Sequence, residues 1–476
     1  MIAKNKTNRK KKLVIIGIDG GTFDIIDPLI KIGELPNLAG FKNKAILNST
    51  MPPGTGVAWA SFATGNNPGK TNIYDFTIVQ DDSWNIKIVN RKILKGKTLW
   101  NYLSEAGKKS IIVNLPITYP PEEINGIMIS GIDTPSTLSN YTFPSSIKNK
   151  LKEFDYEIEV SGIKEKGEMS EQAIKIIDKR IKTAEYLLKE DFDFFIILFR
   201  ETDVVQHFAW GTEKVTEAYK KIDNFIGELK KMSKKNNFEI IIMSDHGHEK
   251  VNHAFNVNSW LQKEGFLKTI NKKTNIMESV GINREKIFNV LDKLKLNFLV
   301  KIVPRKLGKK IPTKNIDFEE AIITGIVDLK NTKAIAKRAV KTAQIFINKE
   351  SRGGIVKNAE EAGLISEIVN KLKMFFEYNN IKAIIKTKKE LYGEKANLAP
   401  DITVYMEEKE YDIQTRFVHK DKIWDETKEQ ATHNTEGIIL SDIDLNLENA
   451  RIIDMAPTIL KYFGIKTGKF DGKSLL

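Results

Sequence analysis

The chain has 476 residues with 75 Lys or Arg and 62 Asp or Glu, giving a formal net charge of +13 and a pI near 9.3. It contains no cysteine, which excludes disulfides, thiolate metal sites and cysteine nucleophiles. At 41% hydrophobic and 29% charged it has the composition of a globular protein, longer than a single core usually grows, so one large domain with an insertion or two domains are expected.

The positive charge could attract nucleic acid, anionic lipid or a phosphorylated substrate. The basic residues are mostly scattered Lys, however, and no nucleic-acid recognition motif accompanies them. The basic start, MIAKNKTNRKKK, is followed by an apolar run of only Leu13 to Ile18. That is too short for a signal-peptide core, and no later run reaches membrane-spanning length, so a cytoplasmic chain is expected.

In chain order, LVIIGI (Leu13–Ile18) predicts a buried strand, with Asp19 at its carboxyl end before Gly20 and Gly21. Thr22 and Asp24 can cap a helix that ends near Gly33, before an extended ELPNL segment. In MPPGTGVAWASFA, the Pro and Gly residues bracket Thr55 in a turn, and Val57–Ala63 suits a buried helix. Thr55 then lies at a helix N-terminus, where free backbone N–H groups favour anions.

Thr98–Ala106 predicts a helix, and Ser110–Asn114 and Ile127–Ser130 predict strands on either side of the NLPITYPP loop. Helical spacing recurs from Glu171 to Lys189. Phe194–Phe199 is a strand leading to Asp203, with His207 four residues further on, so both face one way if that segment is helical. A helix through Val215–Leu229 returns the chain to the apolar run Ile240–Met243, which stops at Ser244, Asp245, His246 and Gly247.

From about Asn275 to Lys330 the pattern changes, and a helical, basic insertion or cap is expected, with KIVPRKLGKK (Lys301–Lys310) its most basic part. The α/β pattern then resumes. Strands are expected at Ile345–Ile347 and Ile402–Tyr405, a helix at Glu360–Phe376, and His433 in a polar loop before a strand at Ile438–Leu440. Asp454 is expected to cap a helix at Met455–Phe463. The domain reading is a catalytic core from 1–274 and 331–476, interrupted by the insertion at 275–330.

Strands alternating with helices demand a mostly parallel sheet covered on both faces. Asp19, Asp203 and Asp245 all lie at or near strand ends, where open α/β sheets place their ligands. Each has an ordinary role taken singly: Asp19 as a turn former, Asp203 as a helix cap, Thr55 as an N-cap and His246 as a core histidine. Together with His207 and His433 they form three Asp and three His at one end of one sheet. Such donors suit Zn²⁺ or Mn²⁺. Two such ions clamp an in-line phosphoryl displacement and can activate a hydroxyl, for which Thr55 is the candidate.

The segments GIDGGTFDIIDPLIKIGELPNL, MPPGTGVAWASFATGNNPGK, AGKKSIIVNLPITYPPEEINGIMISGIDTPS, TDVVQHF, SDHG, INKESRGGIV and HNTEGIIL carry a family resemblance. The chain resembles the type I phosphodiesterase and nucleotide pyrophosphatase group of the alkaline phosphatase superfamily, in its prokaryotic phosphohydrolase or phosphomutase branch. The resemblance implies an alkaline-phosphatase-like three-layer α/β/α sandwich. It implies that Asp203, His207 and His433 hold one metal and that Asp19, Thr55, Asp245 and His246 hold the other. Thr55 would be the nucleophile that becomes phosphorylated before water hydrolyses it.

Two departures bear on substrate. Thr71 and Asn72 follow the PGK turn where relatives commonly carry His-Gly, and Asp75 and Phe76 stand where the nucleotide pyrophosphatases hold phosphate with Asn. The expected activity is hydrolysis of a small-molecule phosphate ester, whether diester, pyrophosphate or monoester. The alternatives are a phosphomutase and, in another class, a non-catalytic metal-dependent binding protein. A sulfatase is disfavoured because no C/S-x-P-x-R pattern lies near Thr55. His248 and His253 are read as local packing or outer contacts.

Overall fold

Six consecutive apolar positions with no polar break make Leu13–Ile18 (β1) a strand that must be covered on both faces, and all six are buried. In the computed structural model, residues 11–476 are described apart from 161–165, 271–317, 324, 395, 418–421, 428–429 and 467. The other strands of the same sheet are β2 (Asn43–Asn48), β3 (Ser110–Val113), β4 (Gly126–Ile129), β5 (Thr142–Phe143), β6 (Phe194–Phe199), β7 (Glu239–Met243) and β8 (Glu436–Ser441). Their order is β2-β8-β7-β1-β6-β3-β4-β5. The block β7-β1-β6-β3-β4 is parallel, while β8 runs antiparallel to both of its neighbours and β5 is antiparallel to β4.

Strand parity sorts the core into two layers. Val14, Ile16 and Ile18 face one way with Phe195, Ile197, Ile240 and Ile242. The helices Phe23–Lys31 (α1), Lys166–Leu187, Glu201–Ala209 and Glu213–Asn236 cover that face. Leu13, Ile15, Phe194, Ile196 and Leu198 face the other way, under Thr55–Thr64 (α2), Leu99–Glu105 and Met455–Tyr462. This is the three-layer α/β/α arrangement expected from the alternation. Burying each such Ile or Phe is worth roughly 1.5–3 kcal/mol, so the sheet is the stiff frame on which the loops are hung.

Several expectations need adjustment. ELPNL is not wholly extended, because Pro36–Ala39 forms a helical turn. Its cause is distant in sequence: buried Asp223 accepts the N–H groups of Asn37 (3.2 Å) and Leu38 (2.7 Å) and the Asn37 side-chain amide (2.9 Å). A carboxylate at a helix N-terminus satisfies donors that the turn cannot satisfy itself. Asp223→Ala is expected to cost about 1–3 kcal/mol, read as a lower denaturant midpoint. Asp454 does precede its helix, but its carboxylate accepts from the Arg451 and Lys473 backbones instead of capping it.

The segments around Ile345–Ile347 and Ile402–Tyr405 are strands, yet they do not rejoin the central sheet. Ala334–Ala339, Thr342–Ile347, Ile402–Met406 and Ala383–Thr387 form a separate antiparallel sheet with its own core. Among the described residues, only β8 returns the late chain to the main sheet. His433 lies on a strand, Ala431–Asn434, and not in a loop. It pairs antiparallel with the start of a ten-residue strand, Gly247–Asn256, that begins two residues after Asp245. Most of the helical insertion expected at 275–330, with the basic run Lys301–Lys310 and the boundary at 274, lies outside the described residues; from it, Phe318–Ile323 is a helix.

Candidate active site

The carboxyl ends of β7, β1 and β6 lie side by side, because the register pairs Gly17 with Met243 and Ile18 with Phe199. Asp19 therefore leaves the sheet between Asp245 on one side and the turn into Glu201–Ala209 on the other. Thr202 pins that turn, its hydroxyl donating to the carbonyls of Asp19 (2.7 Å) and Phe199 (2.8 Å). Gly20 has φ +65, and its N–H donates to Asp245 Oδ1 at 3.3 Å. Asp203 and His207 are one helical turn apart and face the same way, His207 Nε2 lying 3.3 Å from Asp203 Oδ1.

Two donor groups result. Asp19, Asp245 and His246, all fully buried, form the first; Asp203, His207, His433 and His248 form the second. Thr55 joins the first from the start of α2, its hydroxyl donating to Asp19 Oδ1 at 3.4 Å and standing 3.2 Å from His246 Nε2. The His246 and His433 rings stack at 3.6 Å, so the two groups adjoin. All seven residues expected from the sequence are thus brought together. His253 is outside, exposed beside Tyr411.

The chemistry of the donors can be tested against a cation. His207, His246 and His433 each turn Nδ1 toward a backbone carbonyl, of Ala431 (3.1 Å), Gly247 (3.1 Å) and Pro53 (2.8 Å). A carbonyl can only accept, so in the neutral rings the proton is on Nδ1 and Nε2 presents a lone pair. Yet His207 and His433 bring their Nε2 atoms within 2.9 Å of each other, and that of His433 is 2.9 Å from Asp203 Oδ1. Three lone-pair donors aimed at one point repel unless a proton or a metal cation sits among them. In addition, Asp19 Oδ2, Asp203 Oδ1 and Asp245 Oδ2 are buried with no partner in hydrogen-bonding geometry among the described residues. Such orphans cost on the order of 1–3 kcal/mol each. The residues fit divalent metal ions at both groups.

The electrostatics agree. Burial, then the Asp245 charge, pushes the Asp19 carboxyl well above its ordinary value, and burial also raises Asp245. Burial alone would depress His246, but Asp245 and Asp19 outweigh it and lift the imidazole to about 9. Burial and the neighbouring His246 drive His433 down to about 3. For Asp203, burial pushes upward, but His207 and His433 hold the carboxyl well below its usual range.

His248 is the site residue that sequence reasoning set aside. It stands opposite His433 in the strand register, on the face that closes over the second group. Gly247, just before it, has no room for a side chain: a Cβ there would meet the Glu436 carbonyl at 2.3 Å. The available signal was a second histidine two residues after His246 in SDHGH.

Of the departures from the family pattern, Phe76 packs beside Gly56, the residue after Thr55. Asp75 pairs with Lys337 of the antiparallel sheet, and the Phe76 ring would lie 3.0 Å from a Cβ on Gly56. The same sheet also has Gln344 donating to the Tyr74 carbonyl, and Tyr392, on the helix Lys388–Tyr392 between two of its strands, donates to the carbonyl of Met51 before Thr55.

Fold and site together define a phosphoryl hydrolase of the alkaline phosphatase superfamily, and comparison with known proteins supports that class. The type I phosphodiesterase / nucleotide pyrophosphatase family model matches residues 13–433, and the chain belongs to that family. Phosphonoacetate hydrolase from Sinorhizobium meliloti 1021, in complex with phosphonoacetate, is similar in structure with a TM-score of 0.61 at 13% identity, over 96% of this chain and 95% of that one. Human ectonucleotide pyrophosphatase / phosphodiesterase 5 gives 0.54 at 12% identity over 97% of both chains. An inactive threonine-to-alanine variant of the murine protein, in complex with AMP, gives 0.52 at 11% identity, again over 97% of both. No curated protein matches the chain. Among the described residues, no helix is long and apolar enough to cross a membrane.

Proposed function

We propose that the chain is a two-metal phosphohydrolase that cleaves a small-molecule phosphate ester through a phosphothreonine at Thr55. The observation that carries this reading is the meeting of the Thr55 hydroxyl with one of two adjoining donor groups at the sheet's carboxyl edge. Asp19, Asp245, His246 and Thr55 would hold one divalent ion and Asp203, His207 and His433 the other, with Zn²⁺ or Mn²⁺ suited to both. When bound, such ions supply Lewis acidity that lowers hydroxyl pKa values and offsets charge on phosphoryl oxygens.

The chain's own residues have separable tasks in this reading. The Thr55 hydroxyl donates to Asp19 Oδ1, which would leave Asp19 Oδ2 to face a metal. Thr55 Oγ1 forms a bond to phosphorus, and the ester P–O bond breaks with its electron pair going to the departing alkoxide. A water oxygen then bonds to phosphorus and the Oγ1–P bond breaks, restoring the hydroxyl. The first-turn N–H groups of α2 face the anion as it is transferred. In the murine neighbour a threonine-to-alanine variant is inactive, so a threonine matters to activity on this fold.

Residues 1–274 and 331–476 would form the catalytic core and 275–330 an insertion. In support, the described strands of the central sheet lie at 13–243 and 436–441, on either side of that segment. The neighbours hold phosphonoacetate and AMP. The Asp75–Lys337 pair argues against carrying over the nucleotide pyrophosphatases' phosphate-holding Asn, so the ester class is to be settled by assay. The test compares aryl phosphate monoesters and diesters before and after chelation. Hydrolysis of at least one class, abolished by chelator and restored by Zn²⁺ or Mn²⁺, is expected; chelator-resistant hydrolysis would reject the two-metal reading.

A further inference from the structure

His248 is completely buried, and among the described residues neither ring nitrogen has a hydrogen-bond partner. A packing role does not explain it. The ring lies 6.4 Å from that of Trp210, nearly parallel to it, and a phenyl ring would fill the same space with no polar atom to desolvate. Two unpartnered nitrogens on one buried side chain are costly enough that a partner is called for.

The backbone on both sides is built to hold the ring there. Strand pairing sets His248 directly opposite His433, and the two ring centres are 4.8 Å apart. On the other side, Gly20 presents bare backbone: a Cβ there would meet His248 Nδ1 at 2.4 Å. His248 Nε2 is 3.5 Å from Asp203 Oδ1, beside the 3.3 Å and 2.9 Å separations of His207 and His433 from the same oxygen. Tetrahedral donors about 2.0–2.1 Å from zinc are separated by about 3.3 Å, so these spacings suit four donors around one ion.

We propose that His248 is a fourth protein ligand of the Asp203/His207/His433 site, which then holds its ion through one carboxylate and three imidazoles. The proposal rests on the two-metal reading and changes its chemistry. The resemblance implies three protein ligands at this site and a free position for water. With His248 added, the protein supplies a full tetrahedral set, as in structural zinc sites, and any further ligand requires expansion to five. The Asp203 site becomes the tighter and more slowly exchanging of the two, whereas the Asp19 site keeps the nucleophile. The first equivalent of metal is therefore expected at the Asp203 site.

The test titrates metal-free full-length protein with Co²⁺ and reads bound metal and the visible absorption of the cobalt. His248→Phe is expected to weaken one of the two equivalents by roughly 100-fold or more, at or beyond the upper end of losses from outer contacts, and to leave the other unchanged. His248→Cys is expected to add a near-ultraviolet thiolate-to-cobalt band, an unambiguous marker because the chain has no other cysteine. Unchanged binding of both equivalents in His248→Phe, or two bound equivalents without that band in His248→Cys, would overturn the proposal. Asp203→Asn separates the two failures. If it loses an equivalent while His248→Phe does not, only the fourth ligand is wrong; if wild-type protein binds no cobalt, both readings fall. Should both His248 variants misfold, crystals of wild-type protein soaked in Zn²⁺ decide. An anomalous peak about 2.0–2.1 Å from a His248 ring nitrogen supports the assignment, and a peak beyond bonding distance from both nitrogens refutes it.

Discussion

Thr55→Ala is expected to lower kcat/KM by about 10⁴-fold or more while leaving the fold and the metal content in place. The hydroxyl is the atom of Thr55 that the Asp19/Asp245/His246 group reaches, at 3.4 Å from Asp19 Oδ1 and 3.2 Å from His246 Nε2. Removing a nucleophile leaves only the residual catalysis of binding and electrostatics, which accounts for the size of the loss.

Stability should scarcely change, because the hydroxyl does no work for the helix. Gly54 is the N-cap of α2, and Thr55 is the first helical residue, where Ala is at least as favourable. The variant therefore separates chemistry from folding, which few buried substitutions do. Thr55→Ser, which keeps a hydroxyl, is expected to retain turnover and a phosphorylated peptide after acid quench. Wild-type rates in Thr55→Ala, with phosphate on no other residue, would sink the phosphothreonine mechanism.

Why these seven residues were legible, and an eighth was not, follows from local pattern. Asp19 and Asp245 follow short, uninterrupted apolar runs that stop at glycine or polar residues, and their length and flanks read as buried strands whose ends are locally marked. Asp203 and His207 are four apart in a segment that turns out helical, and that spacing aligns them without tertiary information. His433 was found by residue type, but its strand ATHN is short and polar, and it forms by pairing with Gly247–Lys250, which is distant in sequence. His248 was lost for the same reason: GHEKVNHAFN has no clear alternation, and its partners come from Glu410–Gln414, Trp424–Glu426 and Ala431–Asn434. The Pro36–Ala39 turn and the separate antiparallel sheet are likewise set by contacts far along the chain. Local periodicity finds strands, but it does not say which sheet they join.

Stripping divalent ions is expected to abolish hydrolysis and to reverse how stability depends on pH. Consider the metal-free protein first. The His246 pKa is about 9 against an ordinary 6.5, so between these values the folded state binds a proton that the unfolded state has released. Its contribution to stability is complete below about pH 6.5 and is lost as pH rises through 9. Asp19 and Asp245, raised chiefly by burial, also hold protons more tightly when folded and push in the same direction. His433, at about 3, and His248, lowered by burial and by His207 and His433, have the opposite sign, but their effect ends near pH 6.5. Above that, stability of the metal-free protein must fall with pH. Metal binding requires these groups deprotonated, so the ions bind more tightly as pH rises and add stability as ligands do, about 2.7 kcal/mol for one site at a hundredfold excess over Kd. The Tm of chelated protein should thus decline from pH 6.5 to 9, while that of the zinc-loaded protein holds or climbs. His246→Gln should flatten the metal-free decline by removing a group that titrates in that window. Parallel Tm curves with and without zinc would mean that the two donor groups are not metal sites.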